Sequence, residues 1–166
     1  MTTTPAAIQK QIKALEAERE TIVQQERNSC TFEQIGDNRP DVQPYNFVET
    51  RNRIYEINED ILRFKVALQK ANTSLLIDEA GTTAAELLIR MAQVSEELHR
   101  VTSLSAKPQK STSGYSHSFD GSPVYTCANY SVEQAEQYRK SMQETLSELQ
   151  IKLDRFNLTA EIYVDD

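Results

Sequence analysis

The chain has 166 residues, 39% of them hydrophobic and 26% charged, with no Trp and only four Gly. That is lean beside the roughly 45–50% apolar usage of average globular domains, and it suits thin helical packing better than a thick mixed core. A formal net charge of −7, from 18 Lys plus Arg against 25 Asp plus Glu, argues against nucleic acid or an anionic lipid surface as a partner.

Two Cys and two His stand without a CxxC or any ligand spacing, so no metal, cofactor or catalytic residue is expected. A Cys30–Cys127 disulfide is not implied. The start, Met1-Thr2-Thr3-Thr4-Pro5, lacks the basic and apolar regions of a signal peptide, and no apolar run reaches the ~18 residues of a spanning helix. The expectation is a cytoplasmic protein without membrane contact, in which the sequons at Asn72, Asn129 and Asn157 are chance matches.

Thr4-Pro5 is a helix start, because the hydroxyl can accept an orphan amide and Pro is pre-organised for the first turn. Helix one is expected within 1–27, with Ile8, Ile12, Leu15 and Ile22 on one face and Arg19 filling the missing seam position. Periodicity fails over 28–43, where Gly36, Asp37, Asn38 and Pro40 collect, and this reads as a loop. Helix two is expected over 44–73, with Pro44 in its first turn. Thr50, Ile54, Ile57, Ile61, Phe64 and Leu68 form its unbroken heptad seam, and Leu62 and Val66 widen the apolar face. Leu75-Leu76-Ile77 reads as a short extended piece ending in a turn at Gly81.

Thr83-Ala84-Ala85-Glu86 is a capping box opening helix three (83–106), where hydroxyl and carboxylate satisfy two orphan amides reciprocally. Its core face is Ala84, Leu87, Met91, Val94, Leu98 and Val101, with Leu88 alongside. Over 107–130 the composition turns to Ser, Thr, Gly and aromatics around Asp120-Gly121, which is hairpin chemistry, with Pro123 marking an edge or a late start. Ser131-Val132-Glu133-Gln134 opens helix four (131–157). The tail 158–166 is strand-like and is expected to pair with the hairpin or with Leu75-Ile77.

The expected fold is therefore mainly α: an antiparallel bundle or coiled coil of four long helices in a single helical domain (1–166), with a small β-hairpin between helices three and four.

From about Ile57 to Asn157 the order of features resembles the septicolysin-like family of uncharacterised bacterial helical proteins. The features are a helix ending in Ala71-Asn72-Thr73, the turn Asp78-Glu79-Ala80-Gly81-Thr82, a helix, a polar hairpin, and a Val-Glu-Gln-capped helix closing on Phe156-Asn157. The resemblance implies an initial helical hairpin with a variable tip at 28–43. This chain departs in having Leu158 where the family tends to place Trp, and in a less charged hairpin. The resemblance implies no catalytic residues, and its label suggests cytolysis.

Asp78 with Glu79 reads as a turn rather than a catalytic pair, because no third group completes a site. His117 and Cys127 would make an activated thiolate only if the strand register placed them together. Polar groups at or beside the helix seams, namely Arg19, Arg51, Asn58 and Lys65, either lie along helix edges or pair between helices across a subunit interface.

The function expected from the sequence is a non-enzymatic scaffold that forms a homo-oligomer. Its self-association candidates are Ile54, Ile57, Ile61, Leu62, Phe64, Val66, Leu68, Leu87, Leu88, Met91 and Val94. The alternative is a binding module or holdase-like chaperone with coiled-coil arms and a β-hairpin. It would meet a protein partner through Phe32, Ile35, Val42, Tyr115, Phe119 and Tyr125. A lytic or pore-forming role ranks below both.

Overall fold

The structure, a computed structural model, describes every residue except Arg39, Gln43, 118–120 and Asp166, and for 113–117 it describes the backbone alone. The elements are β1 (Thr2–Thr3), α1 (Pro5–Ser29), α2 (Phe47–Ser74), α3 (Ala84–Ser105), β2 (Lys110–His117), β3 (Pro123–Cys127), α4 (Val132–Thr159) and β4 (Ile162–Tyr163). The protein is mainly α, with the β-hairpin between α3 and α4 that the sequence predicts. No helix among the described residues is long and apolar enough to cross a membrane.

The chain, read in sequence as one domain, divides into two compact units: Met1–Leu75 with Arg155–Asp166, and Leu76–Asp154. Each thiol is free and exposed, Cys30 in the first unit and Cys127 in the second.

In the first unit, α1 starts where Thr4 accepts from the Ala7 N–H (3.3 Å) and Pro5 fills the first turn. Among its buried or half-buried residues, Pro5, Ile8, Ile12, Leu15, Arg19, Ile22, Glu26 and Ser29 repeat at 3-4 spacing, the stripe of a coiled-coil helix. The stripe of α2 is Thr50, Ile54, Ile57, Ile61, Phe64, Leu68 and Ala71. The two helices run antiparallel: Glu26 meets Arg51, Arg19 meets Asn58 (2.7 Å) and Glu16 meets Lys65 (2.8 Å), partners rising on α2 as they fall on α1.

Ile8, Ile12, Ile57, Ile61, Phe64 and Ala71 form the core together with Ile162 and Val164. At roughly 1.5–3 kcal/mol for each large side chain buried, these residues dominate the unit's stability. The polar pairs between the helices fix their register.

Three expectations are corrected here. Helix two begins at Phe47, not at Pro44, because Asn46 caps it by accepting from the Glu49 N–H (3.2 Å), and Asn is among the strongest N-caps. The tail pairs neither with the hairpin nor with Leu75-Ile77. Residues through Thr159 continue α4, and β4 lies antiparallel to β1, Thr2 opposite Tyr163 and Thr3 opposite Ile162. Polar seam residues pair between helices, but within one chain.

In the second unit a tight turn precedes α3. Leu76 bridges to Thr83, the Ile77 N–H donates to the Thr82 carbonyl (2.7 Å), and Gly81 supplies a φ of 83°, which a Cβ disfavours. The capping box at Thr83 and Glu86 is complete. α3 and α4 are antiparallel: Lys152 reaches Asp78 before α3 (3.4 Å), and Tyr130 just before α4 donates to the Leu104 carbonyl (2.9 Å) near the end of α3. A stripe of buried and half-buried residues again keeps 3-4 spacing: Ala84, Leu87, Met91, Val94, Leu98 and Val101 on α3, and Ala135, Arg139, Met142, Leu146, Leu149 and Leu153 on α4.

Candidate functional site

The first unit carries its functional candidate at the arm tip, where α1 ends and α2 begins. The Cys30 N–H donates to the Glu26 carbonyl (2.8 Å) to close α1. From Cys30 to Asn46 every described residue is exposed except Val42 and Tyr45, which are half-buried. A turn is pinched by the Asn38 N–H donating to the Ile35 carbonyl (3.2 Å), with Gly36 at a φ of 60° and the Gln34 amide donating to the Gly36 carbonyl (2.8 Å). A positive φ at the first central position, as in a type II′ turn, favours glycine there. The turn lifts Ile35 to 88% exposure, and Phe32, Phe47 and Val48 are exposed around the same tip.

A polar clasp ties the loop to the helices. The Tyr45 hydroxyl and the Arg51 guanidinium both donate to the Glu26 carboxylate. The tyrosine hydrogen bond, followed by the Arg51 contact, holds the Glu26 carboxyl below its ordinary range against the opposing effect of desolvation. The same bond raises the Tyr45 hydroxyl. Arg51 also lies 5.5 Å from the centroid of the Phe47 ring, within cation–π reach. Beside the clasp is a groove of about 710 Å³, lined by residues that include Ile22, Asn28, Thr31, Val42, Tyr45 and Thr50. Among the described residues no cluster of His, Cys, Asp and Glu could hold a metal.

The second unit ends in the β2–β3 ribbon. Gln109 joins its base to the helices: its amide donates to the carbonyls of Ala128 (3.2 Å) and Tyr130 (2.9 Å), and its side-chain oxygen accepts from the Val132 N–H (3.1 Å). Ser131 accepts from the Gln134 N–H (3.2 Å), so the first turn of α4 is satisfied from both sides. Every residue of β3 is exposed, and Lys110 Nζ sits 3.9 Å above the Tyr125 ring. In α4 beside this ribbon, a two-pronged bond from Arg139 (2.8 Å at each oxygen) holds the Glu136 carboxyl down at about 2.

The ladder separates His117 from Cys127, the thiolate pairing weighed from sequence. Cys127 lies opposite Lys110, and His117 opposite Pro123, with an irregularity between Thr112 and His117. Asp78 is a turn residue, accepting from the Thr82 N–H (3.1 Å) and facing Lys152, and His99 is exposed.

The candidates for self-association fall into two sets. Ile57, Ile61, Phe64 and Leu87 are buried within the chain, and Ile54, Leu68, Met91 and Val94 are half-buried, whereas Leu62, Val66 and Leu88 are exposed. Of the partner-contact candidates, Phe32, Ile35 and Tyr125 are exposed and Val42 lines the groove. Phe119 lies outside the described residues, as does the side chain of Tyr115. Sequence reasoning passed over Tyr45, Phe47 and Val48. Two aromatics directly before a helix seam were the available signal for the first two.

No family model matches the chain, and no curated protein matches it. Its fold is similar to that of a functionally unknown conserved protein from Corynebacterium diphtheriae, with a TM-score of 0.72 and 14% sequence identity, over 98% of this chain and 100% of that one. The fold is thus shared with a protein of known crystal structure.

Proposed function

We propose that the protein is a non-enzymatic binding module whose α1–α2 arm tip captures an apolar segment of another polypeptide, in the manner of a holdase. The observation that carries this reading is the concentration of exposed apolar side chains at the tip, Phe32 and Ile35 on a loop anchored by the Glu26 clasp and Phe47 and Val48 in the first turn of α2. Exposed apolar groups on an ordered support are a feature of protein-binding surfaces. The septicolysin-like resemblance is compatible with this role and adds no chemistry to it.

The test is light-scattering aggregation of a thermally unfolding client protein. Wild-type chain slows aggregation at stoichiometric amounts, and the triple variant Phe32→Ser, Ile35→Ser, Phe47→Ser loses that effect while keeping its helical circular dichroism. Equal suppression by both proteins, or none by either, sinks the reading. A self-associating scaffold is the second reading, favoured by the exposure of Leu62 and Val66 on α2.

A further inference from the structure

The outward side of α2 repeats with the same period as its seam. Val48, Tyr55 and Leu62 stand seven residues apart, with Val66 one turn beyond Leu62, and they are 65%, 65%, 54% and 43% exposed. Seven-residue spacing keeps the first three on one line along the helix, and the line is turned away from the stripe packed on α1.

Along one edge of that line the residues at seven-residue intervals are Glu49, Glu56, Arg63 and Lys70, all exposed. Acidic, acidic, basic, basic reads in reverse as its own complement. Such an edge matches itself when two copies of the helix run antiparallel, because edge charges choose partner and orientation in paired helices.

We infer that α2 pairs antiparallel with α2 of a second copy of this chain across a two-fold axis near Glu59. In that register Tyr55 packs against Leu62 of the second copy, and Glu56 and Glu49 face its Arg63 and Lys70. Val66 of each copy comes opposite Asn52 of the other, over a shallow hollow of about 430 Å³ lined by Val48, Glu49, Asn52, Arg53 and Glu56 with Asn46. Each contact occurs twice, as an isologous interface requires. The present partners of these charges lie on the same helix, Glu56 with Arg53 (3.2 Å) and Arg63 with Asp60 (3.0 Å), and exposed pairs of this kind exchange at little cost.

Glu59 is the unfavourable element, since the two copies bring it together at the axis. One helix pair with four apolar anchors per copy also falls short of the ~800 Å² per partner of a standard interface. The dimer is therefore weak and depends on concentration. Of its anchors only Val48 also belongs to the arm tip, and the variants that test it leave Phe32, Ile35 and Phe47 unchanged, so it stands or falls independently of capture there.

Sedimentation velocity over a wide concentration series tests the pairing. Wild type shifts from monomer to dimer. Glu56→Lys raises the dissociation constant roughly tenfold or more, because two attractive contacts become repulsive. Adding Arg63→Glu restores dimerisation, since the exchanged charges are again complementary, and Glu59→Gln strengthens it. Leu62→Ser with Tyr55→Ser abolishes it without loss of helical circular dichroism. A wild type that stays monomeric throughout overturns the inference, as does a dimer indifferent to Glu56→Lys or one that Arg63→Glu fails to rescue.

Discussion

In the first unit, α1 and α2 are tied to each other along their length by Arg19–Asn58, Arg51–Glu26, Arg53–Glu18 and Lys65–Glu16. In the second, the ion pairs within the helices run along single helices, Arg100 with Glu96 and Glu97, and Glu136 with Arg139 and Lys140. There the bonds between strands of the chain sit at the ends, where Asp78 meets Lys152 and Gln109 gathers the base of the ribbon. Charges facing across a seam specify which turn meets which, whereas charges along one helix support that helix and leave its neighbour's position to the end contacts. One helical hairpin is thus registered throughout, and the other is registered from its ends.

The largest effect that sharpens this contrast is in the seams. Ile57→Ala is expected to cost about 2–5 kcal/mol in denaturant unfolding, because Ile57 is 1% exposed in the core of the first unit. Met91→Ala, at a half-buried position of the second unit, is expected to cost clearly less. Equal losses would show that the two seams are packed alike.

Next is Gln109→Ala, which withdraws three hydrogen bonds in a solvent-accessible place and is expected to cost about 1 kcal/mol. Hydrogen exchange should accelerate in the ribbon and first turn of α4 and stay unchanged in α1 and α2. Exchange that accelerates everywhere would break the division into end-registered and length-registered hairpins.

Arg19→Leu completes the apolar stripe of α1 and is expected to gain up to about 1 kcal/mol while loosening the register, since polar seam residues specify alignment at a cost in stability. A thermal midpoint that falls would assign Arg19 a net stabilising role instead.

The smallest effect is a response to acid. Folding lowers the Glu26 carboxyl from its ordinary value of 4.5, so its contribution is fully present above that value and is lost as pH falls through the lower folded one. Tyr45 ring resonances should move toward loop values below about pH 4.5, and Glu26→Gln should abolish that movement. Glu136, held down at about 2 by Arg139, should keep its pair throughout the same titration. Coincident transitions at the two sites would remove the distinction between the clasps.

Much of the fold was legible because a heptad stripe is a property of consecutive residues. The seams of α2 and α3, the capping box at Thr83 and the placing of the hairpin before α4 all follow from short-range pattern. The first turn of α2 was misplaced because Pro44 and Asn46 are both helix-start residues two positions apart, and the side-chain bond to Glu49 decides between them. β1 and β4 have two residues each, too few to show any period, and their pairing joins opposite ends of the sequence. The Glu26 clasp was hidden for a related reason. Its members are 19 and 25 residues apart, and only the return of the chain through the tip loop brings them together. The exposure of Phe32, Ile35 and Tyr125 was legible in the sequence because loops and two-sided ribbons have little interior in which to bury an aromatic or aliphatic side chain.

The two thiols give the molecule a further use. With one exposed cysteine in each compact unit and none elsewhere, the unaltered sequence takes a pair of maleimide labels, one near the arm tip and one on the ribbon. A donor and acceptor, or two spin labels, attached there form a ruler between the units that needs no engineered site. The distance distribution it reports, sharp or broad, with and without a bound polypeptide, is a direct readout of how the two halves respond to each other.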